Sequence, residues 1–270
     1  MKRFAAHLEM NFAASVPFHE RWRLTGQFGF TGCEFVWRIH DLADVRALRE
    51  KHPLQVTCLG GTSGFAVGSG RPVLVWPEDR EQLARDVEKA VEYAQAVSCR
   101  RLIFVPGNLI SGWSLERNRQ EAVLSLKYIA PILEQAGITA ILEPLNSKVD
   151  HKGIYCDTSA EAFRVIEEVG SPNVKVLYDV YHMQIMEGDL VRTISSHYDS
   201  IGYYHIAKVS GRTEPIGGEV NFPAVLEAIR STGYWDYIGL EYKPSISHDH
   251  AFTQIKDSFP SYFQGGSEDA

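Results

Sequence analysis

Residues 174–180 read VKVLYDV, a short apolar run of the kind that forms a buried β-strand, with one carboxylate, Asp179, near its end. The second half of the chain repeats this arrangement three times. The other runs are TAILEP (139–144) with Glu143, GYYHIA (202–207) with His205 and YIGLEYK (237–243) with Glu241. A carboxylate or imidazole is costly to bury alone, so such groups are normally paired or bound to a cation. Four of them at the same relative position in successive runs indicate side chains that converge on one point.

Strand-like runs alternate with amphipathic helical patterns along the whole chain. The predicted strands are residues 4–7, 33–37, 55–59, 101–106, 139–144, 174–180, 202–207 and 237–243. The predicted helices are residues 41–52, 78–97, 116–137, 159–170 and 222–233. Three of these helices have a polar N-cap residue and three have a glycine at the C-terminal end, namely Asp41, Thr158, Asn221, Gly137, Gly170 and Gly233.

This alternation predicts an α/β fold. Eight strand-and-helix units in about 250 residues are the size of a TIM barrel, in which eight parallel strands close into a ring surrounded by helices. A doubly wound open sheet is the alternative, but no GxGxxG motif follows the first strand and no phosphate-loop motif occurs. We predict a single barrel domain over residues 1–264 and a disordered tail, GGSEDA, over residues 265–270.

The composition excludes several classes of function. Of 270 residues, 44% are hydrophobic and 23% are charged, which is ordinary for a soluble enzyme. Lys and Arg number 27 against 34 Asp and Glu, a net charge of −7 that argues against a nucleic-acid surface. No stretch reads as a membrane span, and the four cysteines are scattered without a CxxC pair. We expect a cytoplasmic protein that acts on a small molecule and binds neither nucleic acid nor membranes, with a homo-oligomer as a further possibility.

The predicted barrel gives the four polar residues a shared location. Active sites of TIM barrels form at the C-terminal ends of the strands, and strands five to eight are neighbours in the ring. Three carboxylates and one imidazole suit one divalent ion, Mn²⁺ or Mg²⁺ best, with Co²⁺, Zn²⁺ and Fe²⁺ as alternatives. Such an ion polarises a carbonyl and stabilises the enediolate formed when a neighbouring proton is removed. Glu143 and Glu241 are then the predicted catalytic pair, one removing the proton and the other returning it.

Each of these residues also has a purely structural interpretation. A carboxylate late in such a strand is often a helix N-cap or half of an ion pair. His205, taken alone, is explained equally well as a hydrogen-bonded core histidine. The joint placement of all four residues favours the metal site.

Residues on the loops that follow these strands are predicted to contact the substrate. His182, three residues after Asp179, can reach a substrate oxygen or orient Asp179. Arg212 and Glu214 lie on the loop after strand seven, where Arg212 can bind the substrate or pair with Glu214 to hold the loop. Asn146 can contact a substrate hydroxyl or form an Asx turn.

Aromatic residues cluster on the loops of the first half of the chain. They can line the mouth of a pocket or simply pack the loops against the barrel. We predict that Trp37 lines the pocket and that Trp76 serves in packing.

The segments ILEPLN, LYDVYHMQIMEGDL, GRTEPIGGEVNF and GLEYKP resemble the hydroxypyruvate isomerase family, which is part of the xylose isomerase-like barrels. The resemblance is specific over residues 139–244 and weaker over the rest of the chain. It implies a metal ion held by the three carboxylates named above, with the two glutamates as acid and base. It also implies that His182 and Arg212 contact the substrate.

The chain differs from the hydroxypyruvate isomerases at two notable positions. They usually have Gln at the position of His205, where the related ketose 3-epimerases, such as the tagatose and psicose epimerases, have His. They usually have Asn at the position of His7, which we expect to face the substrate. The metal set therefore resembles that of the epimerases within a hydroxypyruvate isomerase-like sequence.

These observations favour a divalent-metal-dependent isomerase or epimerase that moves a proton next to a carbonyl in a small sugar or sugar acid. The main alternative is a lyase, either a dehydratase or a sugar-eliminating enzyme acting on a larger or aromatic substrate, because the same carbanion can expel a neighbouring substituent. A DNA-repair endonuclease on this barrel would need several zinc ions and more His and Asp ligands. A non-catalytic metal-binding protein would have no need for both Glu143 and Glu241.

Overall fold

The computed structural model of the chain describes residues 3–263. Its strands are β1 Arg3–His7, β2 Gly32–Val36, β3 Gln55–Gly60, β4 Arg101–Phe104, β5 Thr139–Leu142, β6 Val174–Asp179, β7 Ile201–Ile206 and β8 Tyr237–Leu240. Each strand runs parallel to the next, and β8 pairs with β1, which closes the barrel in the order β1 to β8. The predicted TIM barrel is confirmed, whereas the predicted tail over residues 265–270 lies outside the described residues.

Helices surround this barrel. They are α1 Phe18–Gln27, α2 Leu42–Lys51, α3 Arg80–Ala96, α4 Leu115–Ala136, α5 Ser159–Val169, α6 Val180–Met186, α7 Leu190–Ser196, α8 Phe222–Ser231 and α9 His248–Ser258. The five predicted helices correspond to α2, α3, α4, α5 and α8. The predicted N-caps Asp41, Thr158 and Asn221 accept hydrogen bonds from first-turn N–H groups, and Gly137 and Gly170 end α4 and α5 in the left-handed conformation.

The sequence pattern does not predict α1, α6, α7 and α9. Helices α6 and α7 have seven residues each, which is too short for a periodic pattern to stand out. Helix α1 is largely polar and buries only Trp22 and Thr25. None of the helices within residues 3–263 has both the length and the apolar character that crossing a bilayer requires.

Three strands end two or three residues earlier than predicted. Strands β4, β5 and β8 end at residues 104, 142 and 240 instead of residues 106, 144 and 243. Pro106 and Pro144 have no N–H group and cannot extend the hydrogen-bond ladder. Glu143 and Glu241 are therefore the first residues after β5 and β8, at the C-terminal end of the barrel.

The core has two parts. The smaller part fills the inside of the barrel with Ala5, Cys58, Ile141, Leu177, Tyr203 and Tyr237. The larger part lies between the strands and the helices and includes Trp22, Phe35 and Phe252. Leu177 and Tyr203 precede Asp179 and His205 by two residues, so side-chain alternation places these polar groups directly above the inner core. The polar groups thus rest on a packed apolar floor.

Candidate metal centre and active site

Strands β5 to β8 bring four polar head groups together at the C-terminal end of the barrel. Glu143 follows β5, Asp179 ends β6, His205 lies on β7 and Glu241 follows β8. Asp179 and His205 are register neighbours in the pair formed by β6 and β7. One ligand atom from each of the four residues lies within 4.8 Å of the other three, and this is the one such group found in residues 3–263. The convergence predicted from the strand patterns is therefore present.

We call Glu143, Asp179, His205 and Glu241 the candidate metal-ligand cluster, and the contacts within it are short. The His205 Nδ1 atom lies 3.2 Å from the Glu241 Oε2 atom and 3.7 Å from the Glu143 Oε1 atom. Asp179 uses its two oxygens differently, since Oδ1 accepts a hydrogen bond of 2.7 Å from the Tyr181 N–H and Oδ2 remains without one. Asp179 is therefore an N-cap through one oxygen and part of the cluster through the other.

The donor atoms of the cluster fit a cation. The Glu143 Oε1, Asp179 Oδ2 and His205 Nδ1 atoms are buried and have no hydrogen-bond partner among residues 3–263. Each buried polar atom without a hydrogen bond lowers the stability of the fold by roughly 1 to 3 kcal/mol. Three carboxylates and one imidazole form a donor set that divalent ions accept. One divalent ion would satisfy all three atoms at once.

Burial and neighbouring charges shift the pKa values of the three carboxyl groups in different directions. Burial, and next the charge of Glu241, raises the pKa of Asp179 to about 7. Burial, and again the charge of Glu241, raises the pKa of Glu143. Burial also acts to raise the pKa of Glu241, but the positive charges of Arg212 and His205 outweigh it and hold that pKa well below its usual value. A divalent ion would relieve the repulsion that disfavours ionisation of the first two groups.

His182 and Asn146 form a pair beside the cluster. The His182 Nδ1 atom accepts a hydrogen bond of 3.1 Å from the backbone N–H of Asn146 and lies 2.7 Å from its side-chain nitrogen. Burial, and next the charge of Arg212, lowers the pKa of His182 well below its usual value, which favours the neutral ring. The Nε2 atom lies 3.6 Å from Asp179 Oδ2 and 3.3 Å from Arg212 Nη2. The Asn146 side-chain oxygen also accepts hydrogen bonds from the backbone N–H groups of Val149 and Asp150, so it holds its loop through bonds three and four residues on and not as an Asx turn.

The backbone conformation of residues 210–212 positions the Arg212 side chain next to the cluster. Residues 210–212 have φ values of +69°, +100° and +49°. A non-glycine residue in such a conformation costs roughly 1 to 3 kcal/mol. The Arg212 carbonyl accepts a hydrogen bond of 2.8 Å from the Lys243 N–H, which ties this loop to the end of β8. The guanidinium donates to Glu241 Oε2 at 2.6 Å, so the strained loop delivers a positive charge to the cluster.

His7 approaches the cluster from β1. Its Nε2 atom lies 3.9 Å from Glu241 Oε1, and its Nδ1 atom lies 3.5 Å from Glu9 Oε2. The other Glu9 oxygen lies 2.6 Å from His40 Nε2. Two histidines and one glutamate thus extend outward from Glu241.

Trp37 and Glu214 make their polar contacts outside the cluster. The buried Trp37 ring donates from Nε1 to Thr62 Oγ1 at 3.3 Å, and the Arg38 guanidinium lies 4.7 Å from the ring centre. Glu214 accepts hydrogen bonds from the N–H and the hydroxyl of Ser245, which joins the loops after β7 and β8. Glu214 therefore pairs with Ser245 and not with Arg212. The predicted contacts of Trp37 and Glu214 with substrate stay predictions.

Sequence reasoning missed two buried residues that support the site. Glu34 on β2 is 1% exposed, and its Oε1 atom lies 3.2 Å from His205 Nε2. Burial acts to lower the pKa of His205, but Glu34 and the other carboxylates raise it well above its usual value. Asn11 accepts a hydrogen bond from the His7 N–H and donates to the two carbonyls that flank Glu241. A charge inside the strand-like run CEFVW was a signal for Glu34, whereas Asn11 lies in a turn and gave none.

Comparison with known proteins assigns the chain to a family. A family model described as xylose isomerase-like TIM barrel matches residues 22–259, so the chain belongs to that family. The predicted resemblance to hydroxypyruvate isomerases is confirmed within it. The hydroxypyruvate isomerase of Escherichia coli (strain K12) is 31% identical over 248 residues, which cover 92% of this chain and 95% of the relative. The 2-oxo-tetronate isomerase of Pectobacterium atrosepticum is 30% identical over 246 residues, which cover 90% of this chain and 93% of the relative.

Solved structures show the same barrel. The crystal structure of an AP endonuclease, family 2, from Brucella melitensis aligns with a TM-score of 0.86 at 30% identity, covering 95% of this chain and 99% of that chain. The relatives named above by sequence are isomerases. The isomerase class predicted from the sequence is thus supported by the chain's similarity to these enzymes.

Proposed function

We propose that the protein is a divalent-metal-dependent isomerase or epimerase that transfers a proton next to the carbonyl of a small sugar or sugar acid. The observation that carries this proposal is the convergence of four ligand atoms within 4.8 Å of one another. Glu143, Asp179, His205 and Glu241 would hold the ion. The buried atoms of this cluster that lack hydrogen bonds support the same assignment.

When bound, a divalent ion makes a C–H next to a substrate carbonyl more acidic and stabilises the enediolate. The two glutamates enter from β5 and β8, with the residues of β6 and β7 between them. A substrate seated between them would present one face to each carboxylate. One glutamate removes the proton and the other returns it, to the neighbouring carbon in an isomerase or to the opposite face in an epimerase.

The residues around the cluster would bind and orient the substrate. The His182 Nε2 atom and the guanidinium of Arg212 lie at its edge, where they can bind carbonyl, hydroxyl or carboxylate oxygens. Asn146 fixes the orientation of His182. We propose that His7 and Trp37 line the pocket on the side of β1 and β2. We propose that Glu214 holds the loop that faces the substrate.

The substrate class follows from similarity. Relatives named for hydroxypyruvate and 2-oxo-tetronate suggest short hydroxy acids with a neighbouring carbonyl. Mn²⁺ or Mg²⁺ is the proposed ion, since carboxylate oxygens dominate the donor set. The net charge of −7 and a single group of four ligands within residues 3–263 favour a small substrate over DNA. We further propose a cytoplasmic location, for which four buried, unpaired cysteines are suitable.

Exchange with deuterated water tests the proposal. The protein is loaded with Mn²⁺ or Mg²⁺ and incubated in deuterated water with hydroxypyruvate, a 2-oxo-tetronate and a panel of ketoses. We expect metal-dependent deuterium incorporation next to the carbonyl for at least one substrate, and its loss in Glu143→Gln and Glu241→Gln. Glu161→Gln removes a buried carboxylate bonded to Tyr155 and Arg119, away from the cluster, and should retain exchange.

Two outcomes would contradict the proposal. Failure of the metal-loaded protein to exchange deuterium into any member of the panel would contradict proton transfer on this substrate class. An unsaturated product or a released leaving group would instead identify a lyase.

A further inference from the structure

A further buried carboxylate lies behind the candidate metal-ligand cluster. Glu34 lies on β2 and is 1% exposed, and its two oxygens lie 3.2 Å and 3.3 Å from the Nε2 atom of His205. One of these oxygens also accepts a hydrogen bond of 3.0 Å from the Tyr203 hydroxyl. That hydroxyl lies 2.9 Å from the hydroxyl of Thr57, so the contact is anchored in the inner barrel.

The two nitrogens of His205 therefore face different groups. Nε2 faces Glu34, and Nδ1 faces Glu241 at 3.2 Å and Glu143 at 3.7 Å. A carboxylate next to one ring nitrogen retains the proton there and leaves the lone pair of the other nitrogen available to a metal. The contact with Glu34 thus selects the tautomer in which Nδ1 can be a ligand.

The barrel keeps a space for this contact. Gly239 on β8 is the register partner of His205. A Cβ atom at Gly239 would lie 2.6 Å from a Glu34 oxygen and 2.6 Å from the His205 Cδ2 atom. Real Cβ atoms do not approach so closely, so any larger residue at 239 would force Glu34 or His205 to move.

Stability of the fold is a weak explanation for the contact. Removing a carboxylate and an imidazole from water into a barrel is unfavourable, and buried ion pairs can often be replaced by apolar residues without loss of stability. An apolar pair would fill the same volume in the inner core. The contact is better explained by what it does to the free nitrogen of His205.

We propose that Glu34 is a positioning residue that acts through His205, and that Gly239 provides the space for it. Glu34 accepts a hydrogen bond from the Nε2–H group of His205, fixes the plane of the ring and directs the Nδ1 lone pair at the divalent ion. This inference rests on the proposed function, because it assumes that the cluster binds a metal. It adds β2 to the strands that define the site.

Metal affinity is the first test. Mn²⁺ alone is titrated calorimetrically into metal-free wild type, Glu34→Gln and the control Glu161→Gln. We expect the dissociation constant to rise roughly 10- to 100-fold in Glu34→Gln, the range typical of partners that orient metal ligands, and to be unchanged in the control. A Glu34→Gln protein that is folded by circular dichroism and binds Mn²⁺ within twofold of wild type would overturn the inference.

A second variant and a spectrum cover the case in which Glu34→Gln does not fold. Gly239→Ala keeps the charge of Glu34 but displaces Glu34 or His205 from their contact, and should also weaken Mn²⁺ binding; unchanged affinity would count against the inference. In wild type loaded with Zn²⁺, nitrogen NMR should show His205 with a protonated Nε2 and an unprotonated Nδ1, the signals being assigned by their loss in His205→Gln. A proton on Nδ1 would overturn the inference.

The same titrations distinguish failure of this inference from failure of the proposed function. Wild type that binds no divalent ion would overturn the proposed function as well. Equal binding by wild type and Glu34→Gln would overturn this inference alone.

Discussion

Replacing Asn11 by Ala tests how the first and last strands hold the site together. The Asn11 side chain is fully buried. It accepts a hydrogen bond of 2.8 Å from the His7 N–H and donates to the carbonyls of Leu240 and Tyr242 at 2.8 and 2.9 Å. In Asn11→Ala each of these three buried backbone groups loses a hydrogen bond, which costs about 1 to 2 kcal/mol. We therefore expect the free energy of unfolding to fall by roughly 3 to 6 kcal/mol. The carbonyls concerned flank Glu241, so metal binding should weaken too.

Asn118→Ala is the matched control. Asn118 is also fully buried and bonded to backbone, through the Ile110 N–H and the Ser114 carbonyl, but it lies at α4 away from the cluster. Urea unfolding followed by circular dichroism should show a loss in both variants, and calorimetric titration with Mn²⁺ should show weaker binding only in Asn11→Ala. A loss below about 1 kcal/mol in Asn11→Ala, or wild-type Mn²⁺ affinity in the folded variant, would refute the reasoning.

Three other substitutions test separate parts of the structure. Burial acts to raise the pKa of Glu214, but the hydrogen bonds from Ser245 outweigh it and hold that pKa below its usual value, so the stabilisation exists above the unfolded pKa and is lost as the pH falls through the folded one. Glu214→Gln should therefore lower the free energy of unfolding, measured by urea titration, by about 1 to 2 kcal/mol at pH 7 and by progressively less below pH 4. A loss of the same size at pH 7 and below pH 4 would contradict this explanation. Arg212→Lys cannot reproduce the planar donor at Glu241, so kcat/KM on an accepted substrate should fall roughly 10- to 100-fold, and unchanged kinetics would rule out a positioning role. Thr158→Ala removes the N-cap of α5 and should cost about 1 kcal/mol in urea unfolding with no change in Mn²⁺ affinity; a change in affinity would mean that α5 is coupled to the site.

The barrel and the four converging head groups could be predicted because both depend on local patterns and simple geometry. Each strand is a short apolar run, and each ligand sits at the end of one, as Asp179 ends β6. Parallel strands in a closed ring place those ends together without further information. Pairing partners did not need to be known.

Contacts that depend on distances across the barrel could not be predicted. Glu34 reaches His205, 171 residues later, and Asn11 reaches the carbonyl of Leu240, 229 residues later. No local pattern encodes either pair, since a buried strand carboxylate or a turn asparagine has many possible partners. The helices α6 and α7 are local elements, but they could not be predicted because seven residues are too few to show a helical periodicity.

The proposed reaction requires one divalent ion between the ends of β5 to β8. Anomalous diffraction at the manganese absorption edge, from crystals of the full chain grown with Mn²⁺, tests this directly. We expect one strong peak about 2.0 to 2.2 Å from oxygens of Glu143, Asp179 and Glu241 and from Nδ1 of His205. Crystals with saturating Mn²⁺ that show no peak there, or a peak bound by other residues, would contradict the central claim.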